Sequence, residues 1–481
     1  MNRATDVGKI VLLFWGLAFL VLAALQNFGH LEQDVANLSG KAILAAEQRG
    51  AIADFITVYP PLPLLLSLPF ALLAPPGVPA ASLASGLVAA LFGAMLHAGL
   101  LRRGAGRQDA LAITLLILLN PFALYALAAG PGPMLLMLGM LMLAFGLFGM
   151  AGGETAVSDA MMTALALALL ALAHPYGLIL VLASLPGLAL AAPPGIMART
   201  PGSLFLILLF PVVFALASFI YTRWVLGTEP LQFLDVALGA LQPGERGQPL
   251  PVGLFLAAAL PSLILIAPPV LAFLVWSRGR KPQLLPALAL TGTVILAGVG
   301  QIVLRGHIDM ALAMAMILPA SGVCAAQAVR DRSWQMLLLP LIGVGGAWAV
   351  SLAPAVLSGR SSWLPAHIVT PPAKKADRLG AALCGKSGVL VDTDAYPGVV
   401  QLCGTAKGIV AAGEAEFDLQ LLSRRLTSPF ILVADTVDGS ETDRIAHSFP
   451  ELYARGAEGY QLIHDAAGWR LYARRPARPV S

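Results

Sequence analysis

The chain has 481 residues, 58% of them hydrophobic and only 12% charged, with a formal net charge of +4 and a mean hydropathy of +0.80. Such a composition excludes a soluble domain, because apolar runs of about 20 residues, the length that spans a bilayer, recur along it. The basic balance comes without an aromatic-interleaved basic patch, so it points to topology and contact with anionic lipid, and nucleic acid is not expected as a partner.

The first apolar run, 10–25, follows Arg3 and Lys9. Gln26-Asn27-Phe28-Gly29-His30 offers no small-x-small cleavage site, so the run is expected to be an uncleaved signal anchor. A loop over 26–63 comes next, carrying Glu32, Gln33, Asp34, Glu47 and Asp54 before Tyr59-Pro60-Pro61-Leu62-Pro63. Carboxylates are expensive beside a bilayer, and a loop that carries four of them is expected to use some. The run 62–74 is framed by Pro60-Pro61 and Pro75-Pro76 and contains Pro63 and Pro69. It is too short and too rich in proline for a span, and is expected to lie as a juxtamembrane helix at the outer surface.

Further apolar runs fall at 80–101, 110–129, 134–150, 160–173, 177–192, 203–222, 252–276, 284–304, 310–326 and 334–357. Together with the first they predict a polytopic α-helical membrane protein of about eleven spans. If Arg3 and Lys9 are cytoplasmic and 62–74 does not cross, every later basic cluster is cytoplasmic too: Arg102, Arg103 and Arg107; Arg199; Arg278, Arg280 and Lys281; Arg330 and Arg332. The segments with chemical character then share the outer side. They are the 26–63 loop, Gly130-Pro131-Gly132-Pro133, His174-Pro175-Tyr176-Gly177, the 224–251 loop and Arg305-Gly306-His307-Ile308-Asp309.

Past a tether at 358–375, with Pro365, Pro371 and Pro372, residues 376–481 change character. Long apolar runs stop and short ones alternate with amphipathic stretches, as in a small soluble α/β domain, placed outside the cytoplasm by the topology. Residues 388–392 and 430–435 read as buried parallel strands and 408–411 as a weaker third; 417–426 and 440–455 read as helices, the second capped by Ser440; 460–464 and 469–474 read as a hairpin. Asp392, Asp394 and Asp435 at strand ends are ligand positions or plain turn and cap formers. Cys384 and Cys403 lie where a disulfide is chemically allowed, or are buried thiols. No Cys/His cluster suggests a structural metal, and no phosphate-binding glycine loop occurs.

One span, then an outward loop with early acidic residues, the small-residue stretch Ala42 to Gly50, and Tyr59-Pro60-Pro61-Leu62 before a short helix, resembles the GT-C class of membrane glycosyltransferases that use polyprenyl-phosphate-linked sugars. Asn120-Pro121 and the His174-Pro175-Tyr176-Gly177 turn add to the resemblance, which covers about residues 1–192. It implies a GT-C-like module over 1–357 in a cell inner membrane, with an acidic residue of the first outward loop as catalytic base. By position that residue is Asp34, with Glu32 as the near alternative. Here the acidic pair reads Glu32-Gln33-Asp34, and the Gly130–Pro133 turn lacks an Asp, which leaves the use of a divalent cation open.

The chemistry fits on its own terms. An inverting transferase needs a carboxylate to take the acceptor's proton and cations to hold the leaving phosphate. Arg305 and His307 beside Asp309 are the best placed phosphate partners, with His174 as a second candidate, Tyr59 near the expected cavity mouth and Asp54 as a second acid. Each has a plainer reading: Asp34 and Asp54 as helix caps, Arg305 as a headgroup anchor, His174 as the partner of a backbone group. The expected partners are a polyprenyl-phosphate-linked sugar donor, a lipid, glycan or protein acceptor, and membrane lipids. The rival classes are a transporter or flippase of a lipid-linked glycan, which would carry charge inside its spans, and a non-catalytic envelope scaffold.

Overall fold

The computed structural model describes residues 3–27, 33–50, 52–75, 78–151, 157–238, 252–276, 281–306, 308–329, 335–352, 379–435, 443–466 and 468–475. The expected tether at 358–375 lies outside them. Contacts divide the chain into two units that interleave in sequence: Met1–Ala23, Tyr59–Leu62 and Ser85–Val369 in one, Ala24–Val58, Pro63–Ala84 and Thr370–Ser481 in the other.

The first unit is helical. Four helices are long and apolar enough to cross a membrane, Ala80–Arg102, Pro131–Met150, Pro201–Val225 and Leu284–Arg305, and several shorter apolar helices pack among them. Three of the expected runs are divided between two helices, one of them with a sharp bend. Arg107–Leu118 and Pro121–Ala128 meet at 63°, where Pro121 cannot donate to the preceding turn and Asn120 Oδ1 accepts from Phe122 N at 3.1 Å. Val252–Ile266 stops before Pro268–Trp276, and Met310–Ala315 stops before Leu318–Val329, whose first turn holds Pro319. Hydropathy marks none of these divisions, and proline alone does not either, since Pro186, Pro211 and Pro286 lie inside continuous helices.

Close packing rests on small residues, since lipid removes the hydrophobic drive between helices and leaves contact distance to decide association. Helix Pro131–Met150 meets Val157–Ala173 along Gly139, Gly146 and Gly149. A Cβ on Gly146 would fall 2.2 Å from Thr163 Oγ1, and one on Gly177 would fall 1.7 Å from the Leu170 carbonyl oxygen.

The second unit is built on a five-stranded sheet of order β2-β1-β3-β5-β4. Strands β1 (Val389–Leu390), β2 (Ile409–Val410) and β3 (Phe430–Ala434) are parallel, and β4 (Tyr460–Ala466) and β5 (Trp469–Arg474) form an antiparallel hairpin against β3. Alternate residues face two cores, as strand geometry requires. Val389, Ile409, Leu432 and Leu471 point to one face, Leu390, Val410, Ile431 and Tyr472 to the other. The expected 440–455 helix is two short ones, Arg444–Ser448 and Leu452–Arg455, broken at Phe449-Pro450. Its cap is Asp443, which accepts from Ile445 N and Ala446 N at 2.9 and 3.0 Å, while Ser440 lies outside the described residues. Cys384 and Cys403 form a disulfide.

The first face of the sheet is closed partly by helix Gln33–Ala46 from the opposite end of the chain. Ile43 and Leu44 belong to the same core as Leu379, Val391 and Val400. Polar contacts fix the register: Glu47 accepts from Thr405 Oγ1 at 2.7 Å and from Ala406 N at 3.0 Å, Asn37 Oδ1 accepts from Gly398 N at 3.2 Å, and Arg49 pairs with Glu414 at 3.0 Å. Ser39 Oγ accepts from Ala81 N at 3.1 Å. Helix Pro61–Leu73 has 13 residues, about 20 Å at helical rise and well short of a hydrocarbon core of about 30 Å.

Candidate active site

Three of the expected residues converge within the helical unit. Arg305 ends helix Lys281–Arg305, and its Nη2 donates to the carbonyls of Val236 and Ala237 at 3.0 and 2.7 Å. Those carbonyls belong to the last turn of helix Gln232–Leu238, where a cation meets both unpaired acceptors and the negative end of the helix dipole. Arg305 therefore has a structural partner that the headgroup-anchor reading did not foresee. Its charge also reaches the side chains of Tyr59, His174 and Tyr176.

Tyr59 is held by Pro60 behind it and by two rings, Phe233 at 5.1 Å and Phe219 at 5.8 Å between centroids. Its hydroxyl donates to the Ala171 carbonyl at 2.8 Å. Burial raises its pKa, with Arg305 opposing, so the phenol stays protonated.

His174 is the N-cap of helix Pro175–Ala191, its Nδ1 accepting from Tyr176 N at 3.1 Å. A capping imidazole of this kind must be neutral on Nδ1, and burial together with the Arg305 charge pushes its pKa down to about 3. The backbone-partner reading of His174 is the observed one, with a backbone N–H in place of a carbonyl.

Asp309 caps the next helix, accepting from Leu312 N at 2.9 Å, and its other oxygen accepts from the Tyr125 hydroxyl at 2.9 Å. His307 and Glu32 lie outside the described residues. Asp34 and Asp54 belong to the second unit, Asp34 exposed in the first turn of helix Gln33–Ala46 and Asp54 on helix Ile52–Ile56.

Two residues of the cluster were not picked out from sequence. Tyr176 is fully buried, and its hydroxyl has no hydrogen-bond partner among the described residues, although it lies close enough to Arg305 and Asp309 to feel both charges. A buried donor left unpaired costs about 1–3 kcal/mol, so it marks a place built for an acceptor. Its signal was its place in the His174-Pro175-Tyr176-Gly177 turn. Arg223, only 6% exposed, donates to the Glu229 carbonyl and to Gln232 Oε1, both at 3.0 Å, and so fixes the start of the helix that Arg305 caps.

Among the strand-end acids, Asp392 serves as a turn former. Its Oδ1 accepts from Asp394 N and Ala395 N at 3.1 and 3.3 Å, and its Oδ2 from Arg444 N at 2.7 Å. Among the described residues no group of His, Cys, Asp and Glu has the arrangement of a metal site.

The chain is thus a mostly helical protein with several apolar helices and a small strand-containing C-terminal region. Two solved structures share this fold over nearly the whole chain. ArnT from Cupriavidus metallidurans bound to undecaprenyl phosphate aligns with a TM-score of 0.58 and 14% identity over 96% of this chain and 97% of its own. The apo state of the same protein aligns with a TM-score of 0.56 and 15% identity over 98% of each. No family model matches the sequence, and no curated protein matches it. At such identities the likeness is one of fold, and it bears out the fold that the first outward loop implied.

Proposed function

We propose that this chain is a membrane glycosyltransferase that moves a sugar from a polyprenyl-phosphate donor to a hydroxyl acceptor outside the cytoplasm, inverting the anomeric centre. Asp34 takes the proton of the acceptor hydroxyl as its oxygen bonds to the anomeric carbon. The bond from that carbon to the phosphate oxygen breaks, and polyprenyl phosphate leaves with the electron pair. Arg305 and the hydroxyl of Tyr176 stabilise the charge that develops on the phosphate, with Tyr59 as a wall of the donor site.

The observation that carries this reading is the whole-length likeness to a fold that, in ArnT, is seen bound to undecaprenyl phosphate. Support comes from the Arg305 cluster, with an unpaired phenol beside a guanidinium, and from the exposure of Asp34. The disulfide Cys384–Cys403 suits an oxidising compartment, hence a periplasmic C-terminal domain on a multi-pass inner-membrane protein.

The test is an assay of the purified full-length protein with radiolabelled undecaprenyl-phosphate sugars and membrane lipid, glycan or protein acceptors. Transfer that is lost in Asp34→Asn supports the reading. Activity surviving both Asp34→Asn and Glu32→Gln leaves the reaction without its base and overturns it. Topology is checked by placing single cysteines at the exposed positions Gln33 and Leu422. Both should react with an impermeant reagent in intact cells; reaction at only one of them defeats the eleven-span arrangement.

A further inference from the structure

Helix Ala80–Arg102 ends in a pair of arginines whose surroundings the sugar-transfer reading leaves unused. The Arg103 guanidinium lies over the rings of Phe145 and Phe148, at 5.1 and 5.3 Å from their centroids. Two rings fix the fork in place, as cation–π contacts do. Its Nη1 is shut off from solvent and has no hydrogen-bond partner among the described residues. None of the ion pairs among the described residues involves Arg102, Arg103 or Asp159.

Beside this guanidinium opens a cleft of about 450 Å³ within the helical unit, with Arg102, Arg103 and Asp159 on its polar side. Its other walls are apolar, with Leu91, Met95 and Ala98 running back along helix Ala80–Arg102 and Val11 contributed by helix Arg3–Asn27. Two glycines shape it. A Cβ on Gly99 would fall 2.1 Å from the Phe145 ring, and one on Gly149 would fall 2.4 Å from the Asp159 carboxyl carbon. Glycine at these places lets the ring and the carboxylate come up against neighbouring helices.

Two cations against one carboxylate leave a single net positive charge at the end of an apolar groove. That pattern is complementary to an amphiphile with one negative charge. Two guanidinium groups on the wall of one cleft favour an anionic oxygen over water, because charge-assisted hydrogen bonds are about twice as strong as neutral ones. A zwitterionic headgroup would bring its ammonium up to the arginines. A free phosphate would leave the groove empty.

We propose that this cleft binds one anionic phospholipid, its phosphodiester on Arg102 and Arg103 and an acyl chain along the groove beside helix Ala80–Arg102. The positive-inside arrangement puts this end of the helix at the cytoplasmic leaflet, where anionic lipid faces basic side chains. The lipid is separate from the sugar donor, and the site stands whether or not the chain transfers sugar.

The experiment is lipid binding to the full-length protein in neutral detergent, read by native mass spectrometry and by unfolding temperature. The probes are phosphatidylglycerol, phosphatidylcholine of equal chain length, and inorganic phosphate. Phosphatidylglycerol should bind about tenfold or more tighter than phosphatidylcholine, the preference one charge-assisted hydrogen bond supplies. Inorganic phosphate should leave the unfolding temperature unchanged. Replacing both arginines by Gln should remove the preference, and replacing both by Lys should retain most of it. Ala98→Phe keeps the arginines but blocks the groove and should also weaken phosphatidylglycerol, which keeps the test intact if the double Gln variant fails to fold. Equal binding of the two lipids, stabilisation by phosphate alone, or a preference that survives both the double Gln change and Ala98→Phe overturns the proposal.

Discussion

Helix Pro201–Val225 reaches a mean hydropathy of 2.7 and is 22% buried over its most apolar stretch, whereas Pro131–Met150 reaches 2.0 and is 83% buried. In the helical unit, then, the more apolar of the two helices is the less enclosed. The α/β unit behaves the other way: the apolar strand β3 is buried at four of its five positions. Solvent explains the difference. Lipid tails are as apolar as leucine, so in a membrane hydropathy separates spans from loops but not buried faces from lipid-facing ones. Glycine makes that second distinction. Pro131–Met150 presents Gly139, Gly146 and Gly149 to its neighbour at distances no Cβ could share, whereas a Cβ on Gly202 of Pro201–Val225 would meet nothing within 4 Å.

The two units also contribute different chemistry. The helical unit holds a cation and two phenols fixed by helix ends and rings. The α/β unit holds an exposed carboxylate on a helix docked by Glu47, Asn37 and Arg49. Substitutions in the two should therefore fail in different ways.

The largest effect is expected at Asp34. Asp34→Asn should lower turnover by about 10²-fold or more, with unfolding temperature unchanged because the side chain is exposed. Retained turnover in Asp34→Asn alongside its loss in Glu32→Gln would transfer the role to Glu32. Arg305→Ala should act on both binding and stability. Donor affinity should fall by about 1.5–3 kcal/mol through loss of a charge-assisted contact, and the protein should also unfold earlier because Val236 and Ala237 lose their donor. Normal donor affinity with reduced stability would confine Arg305 to capping.

Next comes Gly40→Ala, whose methyl would fall 1.8 Å from the Pro397 carbonyl oxygen. Lifting helix Gln33–Ala46 off the sheet unit should cost about 1–3 kcal/mol and expose the Cys384–Cys403 region to protease. Unchanged protease resistance would show that this helix is not held by the close contact. The smallest effect belongs to the lipid face: Leu206→Ala, at a position 67% exposed, should shift stability by no more than about 0.5 kcal/mol in a bilayer. A loss of several times that size would mean another protein surface covers this helix.

Sequence reasoning reached furthest where one local property decides the outcome. The strands of the C-terminal unit, its parallel order and its closing hairpin follow from alternation and turn residues, and β1, β2, β3, β4 and β5 lie where those signals fall. Helix Pro61–Leu73 was legible from its length and framing prolines. The second C-terminal helix was misread on both counts: it breaks at Phe449-Pro450, and its observed cap is Asp443. The cluster around Arg305 was legible only in part. Tyr59, His174 and Arg305 stand 115 and 131 residues apart along the chain, and each carried an ordinary local explanation.

The sequence by itself determined that this is a mostly helical membrane protein with a small strand-containing C-terminal end, because hydropathy and strand alternation are short-range signals. The tertiary structure decided what each exceptional residue does. Helix Gln33–Ala46 shares its core with strands more than 340 residues further on. Arg305 completes a helix that begins at Gln232, and the Tyr176 hydroxyl is left unpaired beside it. These outcomes depend on which helix end meets which side chain once the bundle has closed, and in an apolar solvent that choice rests on close packing and polar satisfaction, neither of which is written in the hydropathy of any one segment.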